Sequence, residues 1–217
     1  MILLTGPVNG GALPVNNKFF SLPAEKQQAI LNASYRVFSR NSYKNSPMSE
    51  IAGEAGISKA LLFHYFRNKK ELYLYLWEKS AETTIEYLTR FGCYDRTDLF
   101  DAMELGTIAK LEIIRLYPDM SNFSVKAFYE KDPEVCAEIQ ESYHRHYNLK
   151  VDRLRLNLAP DQFIPGLDIP MMYREMYWAA EGYLWETLQQ GDMDIDQVEK
   201  DFRKLMAFWK SVYKRKE

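Results

Sequence analysis

From Pro23 onward the apolar residues of this chain recur at three- and four-residue steps, and beyond Gly92 no segment alternates with the period of two that a half-buried strand requires. That periodicity confines the fold to the all-α class. Ala29, Ile30, Ala33, Val37 and Phe38 predict a helix from Pro23 to about Ser39. The polar run Asn41 to Asn45 breaks it, and Ser46-Pro47 then offers a capping oxygen followed by a proline at a first helical position. A second helix starts there, with Ile51, Ala52 and Ala55 as its apolar stripe. Gly56 can take the positive φ at which that helix stops, Ser58 can cap a third over Lys59 to Phe66, and Asn68 with Glu71 has capping-box spacing for a fourth reaching about Phe91.

Farther on, Thr97 to Leu116 reads as a helix ended by Pro118, and Asp132-Pro133 opens one to about Leu156. Asp168 with Pro170 opens another to about Gln190 before Gly191, and Asp194 with Gln197 caps a last helix over Ile195 to Tyr213. Residues 1–20 contain Gly6, Pro7, Gly10, Gly11 and Pro14 without a sustained period, the pattern of a flexible arm. The expected organisation is a flexible N-terminal segment 1–20, a three-helix head over 21–72, and a larger C-terminal helical bundle over 73–217.

The charge is polarised along the same division. Residues 1–72 hold 9 Lys or Arg against 4 Asp or Glu, whereas residues 73–217 hold 19 against 26. A basic head on an acidic body suits a polyanionic partner. The apolar start Met1 to Leu4 is interrupted by Thr5, Gly6 and Pro7, so no secretory segment is read there, and the two cysteines, Cys93 and Cys136, fit a reduced cytoplasmic setting. No apolar run approaches the roughly 18 residues of a membrane span.

Two short helices joined by Ala55-Gly56-Ile57-Ser58 have the layout of a helix-turn-helix, whose second helix enters the major groove. Four stretches carry a closer likeness: Met48-Ser49-Glu50-Ile51-Ala52, Ala55-Gly56-Ile57-Ser58-Lys59, Leu62-Phe63-His64-Tyr65-Phe66 and Lys69-Lys70-Glu71-Leu72. Over about residues 23–80 the sequence resembles the TetR family. The resemblance implies a sequence-specific DNA-binding transcriptional regulator, a repressor released by a small lipophilic or aromatic effector, with operator DNA as partner and no cofactor or metal. The alternative is an architectural or adaptor protein that uses the same head without an effector.

Carried over residue by residue, the resemblance makes Ser46 a phosphate contact and places Ser49 near the groove. Lys59, Ala60 and His64 fall on the recognition face, Tyr65 within reach of a phosphate or base edge, and Lys69 on backbone phosphate. At Phe63 the sequence departs from the family, which usually has a tyrosine there. Leu62 and Phe66 read as core.

An enzyme finds little footing. Cys136 and His144 are eight residues apart on one predicted helix, about 11 to 12 Å along its axis, and His144 and His146 point to different faces rather than pairing for a metal. For the body, the resemblance implies a homodimer through the final helices. Ile195, Val198, Phe202, Leu205, Trp209 and Val212 form one apolar stripe, and Met172, Met176, Ala179, Tyr183 and Leu184 form another. Met120, Phe123, Phe128, Met176, Tyr177, Trp178 and Glu181 are the candidate effector-binding residues, with the carboxylate of Glu181 placed to receive a cationic group.

Overall fold

The computed structural model describes residues 15–159, 161–189 and 194–216, leaving aside the side chains of Glu181, Leu184, Leu188 and Gln189. The described residues form helices and no strand: α1 (Asn17–Phe20), α2 (Ala24–Arg40), α3 (Met48–Glu54), α4 (Lys59–Tyr65), α5 (Lys69–Arg90), α6 (Leu99–Leu116), α7 (Pro118–Phe128), α8 (Cys136–Arg155), α9 (Ile169–Gln189) and α10 (Ile195–Tyr213). Glu181 and Leu184 lie on α9, but what was expected of their side chains falls outside the described residues, as do residues 1–14 and Gly191.

Several boundaries follow from local chemistry. The Asn68 side chain accepts the Glu71 amide at 2.8 Å to open α5, and Asp194 accepts the Asp196 and Gln197 amides to open α10. Pro118 does end α6, but it is also the first residue of α7, a helix the sequence reading missed. A proline lacks only an amide that the first turn would leave unpaired, so the same residue closes one helix and starts the next.

The chain divides into two compact units. The first comprises residues up to Tyr87 together with Ile113–Val151, and the second comprises Leu88–Glu112 with Asp152–Glu217. Hence α7 and most of α8 belong with the helix-turn-helix head, whereas the boundary expected at residue 72 assigns them to the body. The reason is a buried aromatic cluster: Phe123 of α7 lies 5.4 Å from Tyr35 and 6.1 Å from Phe38 of α2, and 4.9 Å from Tyr73 of α5. Polar ties reinforce it. The Tyr43 amide and hydroxyl donate to Glu130 and Glu134 at 2.8 and 2.7 Å, and the Tyr35 hydroxyl donates to the Leu76 carbonyl. Glu78, buried on α5, accepts from Ser142, Arg145 and His146 of α8.

The second unit has its own core of Leu99, Phe100, Phe163, Met172, Met176 and Trp209. Its chain end is held by the Ile164 amide on the Tyr213 carbonyl at 3.0 Å, the Arg215 amide on the Gln162 carbonyl at 2.8 Å, and a Lys214–Asp98 ion pair.

Candidate nucleic-acid interface

The turn between α3 and α4 is built as its residue types require. Gly56 sits at φ 67°, a left-handed conformation that side chains disfavour, and the Ile57 amide closes back onto the Ala52 carbonyl at 3.0 Å. Ser58 accepts the Leu61 amide at 3.1 Å, supplying one of the orphan donors at the start of α4 with a partner. Ile51 and Ala52 of α3 and Leu62 of α4 are buried, which turns Lys59, Ala60, Phe63 and His64 outward.

Helix α4 is only seven residues long, too short to be stable without support. Support comes from a segment the sequence reading took as a flexible arm. The Asn16 side chain and amide donate to the carbonyls of His64 and Tyr65 at 2.9 and 3.1 Å, capping the end of α4. Phe19 is fully buried, with its ring 4.9 Å from Phe66, 5.9 Å from Tyr65 and 6.0 Å from Tyr75. Residues 15–20 are therefore part of the head, and flexibility does not extend through residue 20 as expected. The paired asparagines and phenylalanines at 16, 17, 19 and 20 were the available signal: a cap followed by apolar anchors.

Ser49, Lys59, Ala60 and His64 are exposed, as a groove contact needs. Three of the residues expected to contact DNA meet partners within the head instead. Ser46 is fully buried and its hydroxyl donates to the Ser42 carbonyl at 2.9 Å, so it faces its own turn rather than a phosphate; the residue flanking α3 is Pro47. Tyr65 is 6% exposed, since it lies three residues from Leu62 and shares its inward face against Phe19. Lys69 donates to the carbonyls of Tyr43 and Lys44 at 2.8 and 3.2 Å, with its ammonium 4.4 Å from the Tyr43 ring centroid. It staples the α2–α3 loop to α5 before any DNA is present.

Charge is also partly spent inside the head. Arg36 pairs with Glu54 and Asp119, Arg40 with Glu54, and Arg67 with Glu71. Among the described residues Lys59 and Lys44 form no ion pair, which leaves them available to phosphate.

The candidate effector residues fall in both units, Met120, Phe123 and Phe128 in the first and Met176, Tyr177, Trp178 and Glu181 in the second. Phe123 and Met176 are corrected to core residues of the first and second unit. Phe128 packs on Tyr143 at 4.7 Å. Trp178 is 59% exposed with the Arg174 guanidinium over its ring. Met120 borders a polar pocket of about 180 Å³ in the first unit, beside Tyr35 and Arg36. In the second unit a groove of about 210 Å³ runs between α6 and α10, floored by Phe100, Ile108 and Phe202.

The apolar stripes read for dimerisation are corrected likewise. Met172, Met176, Val198 and Trp209 are buried within the protomer, and Tyr183 meets Phe202 at 5.4 Å. Val212 of the expected stripe is exposed, as are Phe208 four residues before it on α10 and Met171, Trp178 and Trp185 at steps of seven on α9, while Ile195, Phe202 and Leu205 are half-buried.

Residues 30–76 match the family model of bacterial regulatory proteins, tetR family. Over 134 residues, 62% of this chain and 55% of the relative, the sequence is 25% identical to the biofilm operon icaADBC HTH-type negative transcriptional regulator IcaR of Staphylococcus aureus (strain Newman). Over 71 residues, 31% of this chain and 33% of the relative, it is 31% identical to the HTH-type transcriptional regulator AcrR of Shigella flexneri. The chain thus spans about half the length of the first relative and a third of the second. Its fold is similar to that of SmeT, the repressor of the Stenotrophomonas maltophilia multidrug efflux pump SmeDEF. The TM-score is 0.68 at 16% identity, covering 88% of this chain and 90% of SmeT, and 0.67 against the SmeT–triclosan complex. These relatives are regulators rather than enzymes. The matched segment contains the turn, α4 and the start of α5, so residues 30–76 are similar to the helix-turn-helix segment of bacterial regulatory proteins of the tetR family.

Proposed function

We propose that the protein is a sequence-specific DNA-binding transcriptional regulator that acts as a homodimer and represses until a small apolar or aromatic effector releases it. The observation that carries this reading is the recognition helix: seven residues braced from behind by Asn16 and Phe19, with Lys59, Ala60, Phe63 and His64 turned outward. Ser49 and Lys44 flank that face as candidate phosphate contacts. A two-fold operator requires two linked heads. The exposed row Met171, Trp178 and Trp185 on α9, with Phe208 and Val212 on α10, supports a second copy as its cover.

Support for an effector comes from the SmeT structure solved with triclosan. An effector that shifts α7 or α8 would move the head as well, since Phe123, Tyr43 and Glu78 tie these helices into the same compact unit. By linkage such a molecule binds the DNA-bound form more weakly, with a coupling of about 1 to 3 kcal/mol. Regulation without an effector is the second reading: the two pockets described above, lined by described residues alone, hold about 180 and 210 Å³, below the roughly 300–1,000 Å³ of typical ligand sites.

The test is selection of a duplex from a random pool, followed by fluorescence anisotropy and sedimentation of the complex. Two protomers per site and release by members of an apolar and aromatic compound library are expected. Failure to enrich any duplex sinks the regulator reading. Binding that no compound alters leaves a regulator without an effector.

A further inference from the structure

The outward face of α4 carries an unusual set of groups for a base-reading surface. Within Lys59–Tyr65 there is no Arg, Asn, Gln, Asp or Glu, so of the residues that pair with base edges through two hydrogen bonds or accept from cytosine the helix carries only Lys59, at its first position. What it offers is an apolar strip. Ala60 and Phe63, three residues apart, share one side of the helix and are both exposed, and Phe63 leaves 38% of its surface in solvent.

Phe63 also stands apart from the aromatic packing of the head. Phe19, Tyr65, Phe66 and Tyr75 meet one another at 4.9 to 6.0 Å, whereas the contact recorded for the Phe63 ring is the Lys59 ammonium, 5.8 Å from its centroid. The one apolar group that a base pair presents in the major groove is the thymine 5-methyl, and a phenyl ring or an alanine methyl is the side chain that fits it. The flanking Lys59 is placed to hold the phosphate rail while the ring reaches inward.

We propose that Phe63, with Ala60 beside it, is a specificity-determining residue that reads thymine by its methyl group, so that each half-site carries at least one thymine recognised without a hydrogen bond to its edge. This rests on the DNA-binding reading above. It assigns to position 63 a base contact, not a phosphate contact, because a phenyl ring has no donor for a phosphate oxygen.

The experiment replaces each thymine of the selected duplex, one at a time, by uracil, which removes the methyl and leaves every hydrogen-bonding group unchanged. Anisotropy is measured for the full chain and for Phe63→Ala and Phe63→Tyr, with thermal melts confirming that the exposed substitutions leave the fold intact. At one or two positions per half-site uracil should weaken wild-type binding roughly three- to five-fold, the value of burying one methyl group. The penalty should fall below about two-fold in Phe63→Ala, persist in Phe63→Tyr, and leave the salt dependence of all three proteins alike, since no phosphate contact is lost. Wild-type binding that is insensitive to uracil throughout the site overturns the proposal and leaves the DNA-binding reading standing, as does a uracil penalty that survives in Phe63→Ala. A failure to select any duplex removes both.

Discussion

Replacing Phe123 with alanine distinguishes a ligand-lining residue from a structural one. The ring is completely buried and meets Tyr73 at 4.9 Å, Tyr35 at 5.4 Å and Phe38 at 6.1 Å, the first two edge-on. Phe→Ala in a packed core costs about 3–5 kcal/mol, and edge-on aromatic pairs add about 0.5–1.5 kcal/mol each beyond their buried area. Three ring neighbours place Phe123→Ala in the upper half of that range, about 4–5 kcal/mol. Against a total of roughly 5–15 kcal/mol for a natural domain, that is about a third of the reserve or more. Phe123→Leu keeps much of the volume and should lose about half as much. Urea denaturation followed by circular dichroism, at fixed protomer concentration, reads the loss as a lower midpoint with an unchanged slope. Amide exchange should rise in α2 as well as in α7, because the ring joins the two. A loss below about 1 kcal/mol for Phe123→Ala, or exchange confined to α7, refutes the reasoning and returns Phe123 to the wall of an adaptable cavity.

Lys69→Met removes the ammonium that donates to Tyr43 and Lys44 while keeping the stem. It should cost about 1–2 kcal/mol of stability and leave the salt slope of DNA binding unchanged, whereas a phosphate clamp would lower that slope by about one. Asn16→Ala should speed amide exchange at Tyr65 and Phe66 and weaken all duplexes alike, because it uncaps α4 without touching its outward face. Burial alone would raise the Glu78 carboxyl, but hydrogen bonds from His146 and Ser142 and the nearby charges of His146 and Arg145 outweigh it and hold the group below its usual range. The stability that Glu78 contributes is therefore present above the ordinary carboxylate pKa of about 4.3 and lost as pH falls through the lower folded value. Glu78→Gln should be destabilised by about 1–3 kcal/mol at pH 7, with the deficit from wild type narrowing in acid urea titrations.

The candidate site was legible where a residue's role is local. Gly56, Ser58 and the outward set Lys59, Ala60 and His64 follow from turn geometry and helical phase, both written within ten residues of sequence. The surroundings of Ser46, Tyr65 and Lys69 were not legible, because each meets something farther away or a turn that folds back: the Ser42 carbonyl, the Phe19 ring and the Tyr43–Lys44 carbonyls. Phe63 was visible as a departure from the family, but only its exposure shows that the ring is free of the head's aromatic core.

The same division holds for the fold. Periodicity, caps and prolines determined by themselves that the chain is helical, where the head's turn falls, and which residues open α5 and α10, because these depend on backbone hydrogen bonds a few residues apart. Sequence could not assign helices to compact units or choose which apolar face stays in solvent. Met172 and Met176 stand four residues apart on α9, as Phe208 and Val212 do on α10, yet the first pair is core and the second is exposed. An apolar stripe states only that it needs a partner. Which surface supplies that partner is decided by long-range packing, as when Phe123 draws α7 onto the head.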